Sequence, residues 1–199
     1  MSPEALPEAA PGRKGVFVAV VGPSGAGKDT VLKAAAGMLQ AEAGVHFVRR
    51  VVTRAADAAC EDHATLSPDD FIAARESGAF CLSWGAHGLF YGLPASIGDR
   101  LADGQTVVAN LSRTALADAA RRFGGIAVVE IAATPEILAA RIAGRGREGA
   151  DAASARVARR VEVDVRHLAD NYLRLDNSGA LQPTVDAFVT HLLSLSLKP

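Results

Sequence analysis

The residues Val16 to Val21 (VFVAVV) form an unbroken apolar, mostly β-branched run that ends directly on Gly22-Pro23-Ser24-Gly25-Ala26-Gly27-Lys28. A run without polar alternation is a strand buried on both faces, and such strands belong to parallel sheets covered by helices on each side. Beyond Lys28 the apolar residues Val31, Leu32, Ala35 and Leu39 recur at helical spacing, and Gly44 follows as a stop. Strand, glycine loop and helix in immediate succession leave few architectures open, and all of them are α/β.

The alternation continues along the chain. Val45 to Val52 reads as a second strand, and Ser67-Pro68-Asp69-Asp70 as a helix start with an N-cap serine, a first-turn proline and acids at the positive dipole end. Thr106 to Ala109 and Ile126 to Ile131 are further short buried strands, and Thr134-Pro135-Glu136 opens another helix. In the last helix Val185, Phe188, Val189, Leu192 and Leu193 keep helical spacing. One stretch breaks the rhythm: Phe80 to Trp84 and Leu89 to Tyr91, parted by Gly85 and Gly88, read as a small antiparallel insert. Its aromatic residues are either a minor apolar cluster or a flap over a substrate. With no internal repeat or low-complexity linker, residues 15–199 are expected to form one domain, with an insert at about 53–95 and a lid at about 143–156. Residues 1–14, rich in Pro, Ala and Glu and lacking a signal-peptide stretch, are expected to be a disordered tail.

A net charge of −1 argues against a general nucleic-acid or membrane-surface binder. No apolar run approaches the roughly 18 residues of a membrane span. The cysteines Cys60 and Cys81 lie far apart without metal-ligand spacing, which suits free thiols in a reducing cytoplasm. A homodimer is compatible with this composition.

Gly22, Gly25 and Gly27 let backbone N–H groups approach a phosphate, and the helix starting near Lys28 adds its positive end. Lys28 supplies a point charge for the β and γ phosphates of a nucleotide. The usual loop has Ser or Thr after the lysine, whose hydroxyl holds Mg²⁺; here Asp29 stands there and Thr30 comes one step late. Asp29 either shares a Mg²⁺ with the phosphates or points away and caps the helix. A second cluster, Arg49, Arg50 and Arg54 with Glu61-Asp62-His63, falls at the end of a strand leaving the sheet, where ligands bind. Arginine matches phosphate geometry, so an acceptor carrying phosphate is expected. A third cluster, Arg141, Arg145 and Arg147 around Gly144 and Gly146, followed by Arg156, Arg159 and Arg160, suggests a lid. The later arginines run beside an apolar stripe of Val157, Val161, Val165 and Leu168, on which Arg159 and Arg166 read as a solvated helix face.

These motifs resemble the guanylate-kinase-like branch of P-loop kinases, from Val16 to about Asn177, through GPSGAGK, TR at 53–54, GAF at 78–80, HG at 87–88, YG at 91–92 and GRGR at 144–147. The resemblance implies a five-stranded parallel sheet with helices on both faces, a substrate-binding insert and a lid. It is broken where guanylate kinases handle the base. Their second arginine is Asp57 here, the guanine-reading glutamate of the insert is Leu82, and a second acid is Asn110. The chain is more similar to the ribose 1,5-bisphosphate phosphokinases of phosphonate degradation, in GPSGAGKD, VVTR, EDH (usually Glu-Asn-His), LSWGAHGLFYG and NLSR at 110–113. That resemblance implies transfer of the γ-phosphoryl of ATP to ribose 1,5-bisphosphate, giving 5-phosphoribosyl 1-diphosphate and ADP. The expected ATP-binding residues are Gly22, Pro23, Ser24, Gly25, Ala26, Gly27, Lys28, Asp29 and Thr30, with Asp29 toward Mg²⁺. Lys28, Arg145, Arg147 and Arg156 are expected to be catalytic. The phosphorylated sugar is expected on Arg49, Arg50, Arg54, His63, His87, Tyr91, Asn110 and Arg113. The alternatives are a nucleoside monophosphate kinase of altered base preference and a catalytically inactive module that binds phosphorylated proteins. Such modules tend to lose the loop glycines and lysine retained here.

Overall fold

The computed structural model describes residues 15–39, 44–53, 63–86, 88–144 and 165–196. Strand β1 (Val16–Val21) is buried from Phe17 onward, as its unbroken apolar composition requires. Helix α1 (Lys28–Met38) follows the glycine loop and buries Val31 and Ala35. The expected strand 45–52 is two strands. β2 (Val45–Phe47) and β3 (Arg50–Val52) belong to different sheets. The N–H of Val48 still donates to the Val108 carbonyl at 2.8 Å, and the chain then turns away at Arg49. Both pieces are apolar enough to pair, so composition alone does not mark the change of partner.

β4 (His63–Thr65) precedes α2 (Pro68–Glu76), which is capped as its sequence implies: the Asp70 N–H donates to Ser67 Oγ at 3.1 Å. β5 (Phe80–Ala86) and β6 (Leu89–Pro94) form the antiparallel hairpin. Then come α3 (Ile97–Ala102), β7 (Thr106–Asn110), a 3₁₀ turn at Arg113–Ala115, α4 (Leu116–Phe123), β8 (Ala127–Ala132) and α5 (Pro135–Ala143). Beyond residues 145–164, which lie outside the described residues, a 3₁₀ turn at Arg166–Leu168 leads to β9 (Asn171–Asp176), and α6 (Leu181–Ser196) closes the described chain. The helical stripe expected through Val165 and Leu168 therefore does not continue as an α-helix there. Val165 is buried, but the next residues form the 3₁₀ turn; Val157 and Val161 lie outside the described residues.

The main sheet has five strands in the order β2-β7-β1-β8-β9, and every pair is parallel. Renumbering only its own strands along the chain gives the order 2-3-1-4-5. Alternate residues of β1 feed opposite layers. Val18 and Val20 pack with Val31 of α1 and Phe188 and Leu192 of α6. Phe17, Ala19 and Val21 pack with Ile97 of α3, Leu116 of α4 and Trp84 and Leu93 of the second sheet. That second sheet, ordered β4-β3-β6-β5, thus sits against the second face. The carboxyl ends of β7, β1 and β8 meet between the phosphate loop and this smaller sheet, at the switch point where α/β sheets bind ligands. Among the described residues no helix is long and apolar enough to cross a membrane.

Candidate active site

The loop between β1 and α1 has a shape only glycine supplies at two positions. Gly22 has φ 151°, and a Cβ there would collide with the Ile131 carbonyl oxygen of β8. Gly27, the residue before α1, has φ 85°, and its Cβ would lie 2.5 Å from Asn177 Nδ2. Asn177 is almost fully buried just beyond β9 and donates from Nδ2 to the Ala26 carbonyl at 2.8 Å. Its Oδ1 has no hydrogen-bond partner among the described residues. Lys28 folds back on the loop, Nζ donating to the carbonyls of Gly22 at 2.9 Å and Pro23 at 3.0 Å. Outside the loop lies a cleft of about 360 Å³ lined by Gly25, Gly27, Thr30, Arg141, Asn177 and Leu181. Closely approaching glycine backbone, a helix N-terminus and a lysine make this an anion cradle suited to nucleotide phosphates. Ser24 and Thr30 are exposed beside it.

Asp29 does not cap α1: the N-cap is Gly27, with no side-chain cap bond. The carboxylate turns sideways, accepting from Asn110 Nδ2 at 2.7 Å and lying 3.9 Å from Arg50 Nη2. The Arg50 guanidinium also stands over the Tyr91 ring, 5.7 Å from its centroid, and Tyr91 stacks on Trp84. Arg50, Tyr91, Asn110 and Asp29 therefore converge, from β3, β6, β7 and α1. Leu82 is buried nearby in the apolar layer with Trp84 and Leu93. Arg49 parts company with Arg50; it is exposed and donates to the His63 carbonyl at 3.2 Å. His63 is only 1% exposed, with Nδ1 3.3 Å from the Ala64 carbonyl and Nε2 unpartnered among the described residues. Arg54, His87, Arg145, Arg147 and Arg156 lie outside the described residues.

Arg113 reaches across the end of β1 to β8, donating from Nη2 to Glu130 Oε1 at 2.6 Å. The other carboxylate oxygen, Oε2, accepts from the Tyr172 hydroxyl at 2.5 Å. Burial pushes the Glu130 carboxyl up, but the hydrogen bonds from Tyr172 and Arg113 and the charges of Arg113 and Arg174 outweigh it, holding the group below the ordinary range. Tyr172 is pushed the other way, by burial and by its bond to Glu130. Arg166 is exposed, as expected of a solvated position, and its guanidinium stands over the Tyr172 ring at 5.2 Å. Glu130, Tyr172 and Asn177 were not anticipated. A signal existed for Glu130, since a lone acid inside AVVEIA is costly to bury without a partner. Among the described residues no group of three or more His, Cys, Asp and Glu side chains is arranged for a metal.

The parallel order 2-3-1-4-5, with the glycine loop and Lys28 joining its central strand to a helix, defines a P-loop phosphotransferase fold. Among solved structures, a guanylate kinase from Anaplasma phagocytophilum aligns over 94% of this chain and 88% of its own, with TM-score 0.67 and 19% identity. A gluconokinase from Sinorhizobium meliloti 1021 aligns over 92% and 95%, with TM-score 0.52 and 22% identity. At such identities the likeness is one of fold. No family model matches the chain. The curated protein named ribose 1,5-bisphosphate phosphokinase PhnN from Brucella melitensis is 45% identical over 185 residues, 93% of this chain and 95% of that protein. The protein of the same name from Acidiphilium cryptum is 53% identical over 147 residues, 74% and 78% of the two chains. A bifunctional ribose 1,5-bisphosphokinase-thymidine phosphorylase from Azorhizobium caulinodans is 48% identical over 90% of this chain, which spans 26% of that longer protein. The chain belongs to the ribose 1,5-bisphosphate phosphokinase family, and it is a kinase.

Proposed function

We propose that this protein moves the γ-phosphoryl of ATP onto the 1-phosphate of ribose 1,5-bisphosphate, forming 5-phosphoribosyl 1-diphosphate and ADP. An oxygen of the acceptor 1-phosphate forms a bond to the γ-phosphorus while the bond from γ-phosphorus to the β-bridging oxygen breaks, and ADP leaves with that electron pair. Lys28 exchanges the Gly22 and Pro23 carbonyls for β- and γ-phosphate oxygens. Asn177 and Arg141 border the cleft where the rest of the nucleotide fits. Asp29 and the exposed Thr30 hydroxyl are the oxygens that would hold Mg²⁺, a hard cation that neutralises charge on the phosphates. Arg145, Arg147 and Arg156, in a lid of about residues 143–156, are assigned to the transferring group, and the insert of about 53–95 to the sugar.

The observation that carries this reading is the character of the acceptor side. A guanine reader needs a carboxylate in the insert, and Leu82 at that position is 8% exposed within an apolar layer. Arg50 over Tyr91 offers charge and a flat ring instead, which suits a phosphorylated sugar. The test is ADP release with ribose 1,5-bisphosphate, GMP, AMP and CMP at matched concentration, with product mass confirmed. The sugar bisphosphate should be preferred by at least about tenfold, roughly 1.4 kcal/mol of transition-state discrimination. GMP equalling the sugar would overturn the assignment.

A further inference from the structure

The charged group at the ends of β1 and β8 is organised around one side chain. Glu130 pairs in register with Val21, the residue immediately before Gly22, so its carboxylate lies one strand away from the start of the phosphate loop. Both carboxylate oxygens are engaged, one by Arg113 and one by Tyr172. Tyr172 is itself covered by Arg166, and Arg174 faces Glu130 in the β8–β9 register. The carboxylate is thereby locked from two sides, and it locks Arg113. That arginine enters from the turn after β7, spans the end of β1, and lies on the face shared with the second sheet, between Leu111 and Ala115 of the same layer. One of its donors is given to Glu130, Nε is buried without a hydrogen-bond partner among the described residues, and 23% of the side chain remains open.

A guanidinium fixed on one edge, with part of the side chain still open, is arranged to receive a second anion. Its place, over the strand that delivers the phosphate loop and on the side of the smaller sheet, is where an acceptor phosphate must come to meet the γ-phosphorus. We propose that Glu130 and Tyr172 are positioning residues which orient Arg113 to hold the reacting phosphate of the acceptor. This deepens the activity proposed above and rests on it only for the identity of the acceptor. Bringing two phosphates together concentrates negative charge, and an arginine whose direction is set beforehand lowers the cost of that approach without reorganising.

The experiment compares Glu130→Gln, Tyr172→Phe, Arg113→Lys and Arg113→Ala, with KM for ATP, KM for acceptor and kcat measured separately. Glu130→Gln should raise the acceptor KM on the order of tenfold and leave the ATP KM within about twofold. Tyr172→Phe, which keeps the ring under Arg166, should have a smaller effect in the same direction. Arg113→Lys should not restore acceptor binding, because a point charge cannot be gripped along one edge and bind along another. The assay uses ribose 1,5-bisphosphate if the wild type phosphorylates it, and otherwise whichever of GMP, AMP and CMP it does phosphorylate. Failure of the sugar assignment is thus visible in the wild type alone, before any variant is compared. An acceptor KM unchanged in both Glu130→Gln and Arg113→Ala would overturn the proposal. So would parallel rises in both KM values accompanied by lowered melting temperature, which would mark a structural role.

Discussion

Gly27→Ala places a methyl group where two separate effects can be read apart. The first is conformational: at φ 85° an L-residue with a Cβ is in the left-handed region, at a cost of about 1–2 kcal/mol. The second is a collision. The new Cβ would lie 2.5 Å from Asn177 Nδ2, so the amide must withdraw and release the Ala26 carbonyl it holds at 2.8 Å. Ala26 is fully buried, and a buried carbonyl left without a donor costs about 1–3 kcal/mol. Gly27→Ala should therefore destabilise the protein by about 2–5 kcal/mol. In an Asn177→Ala background the amide is already gone, and the same substitution should cost only the conformational part, about 1–2 kcal/mol. Equilibrium unfolding in urea of the wild type, both single variants and the double variant gives the coupling directly, expected at about 1–3 kcal/mol. Additivity within about 0.5 kcal/mol would refute the contact between Asn177 and the loop as a source of stability.

Lys28→Ala should lower kcat on the order of 10² or more, since the loop loses its point charge on the β and γ phosphates; near-normal turnover in a folded variant would remove the loop from the mechanism. Asp29→Ala should raise the Mg²⁺ concentration needed for half activity, and an unchanged metal titration would restrict Asp29 to its contacts with Asn110 and Arg50. Glu130 is held below its ordinary carboxyl pKa of 4.5, so its contribution to stability is fully present above that value and is lost as pH falls through the lower folded value. The stability gap between wild type and Glu130→Gln should accordingly be wide at about pH 7 and narrow progressively as pH falls below 4.5, by urea unfolding across that range; a constant gap would deny the ionised pair.

What could be read from the sequence was whatever depends on neighbours along the chain. The run into Gly22, the helical spacing after Lys28 and the Ser67-Pro68 cap each state a local preference that the fold keeps. The places that escaped depend on partners far apart. Val45 to Val52 is one apolar stretch, and only the sheets it meets divide it at Val48. β9 alternates apolar and polar residues because it is an edge strand, and a helical stripe read through Val165 and Leu168 obscured its approach. Asn177 acts on a carbonyl 151 positions earlier, which no local pattern announces. The arginines expected at the acceptor were visible as a cluster, but not that Arg49 and Arg50 would turn apart, since that follows from where the strand begins.

The carboxylate at the phosphate loop has a use that its sequence position alone leaves open. A hydroxyl after the loop lysine would serve a metal and little else. Asp29 instead extends from the first turn of α1 to the buried amide of Asn110 and toward Arg50 on the smaller sheet. The ion pair is long, at 3.9 Å, and its two side chains are 13% and 29% exposed, so it is worth no more than about 1 kcal/mol. Stability is therefore a poor reason for it, and placement is a better one. Arg50 also stacks on Tyr91, so its guanidinium is held by a ring from one strand and a carboxylate from the phosphate-loop helix. A negative charge beside a triphosphate is unfavourable by itself, and here an amide donor and a guanidinium already offset it before any cation binds. On the function proposed above, the first turn of α1 would connect the two substrates, with Lys28 assigned to the donor phosphates and the adjacent Asp29 beside Arg50, which is assigned to the acceptor. A hydroxyl at position 29 is too short to make that second connection.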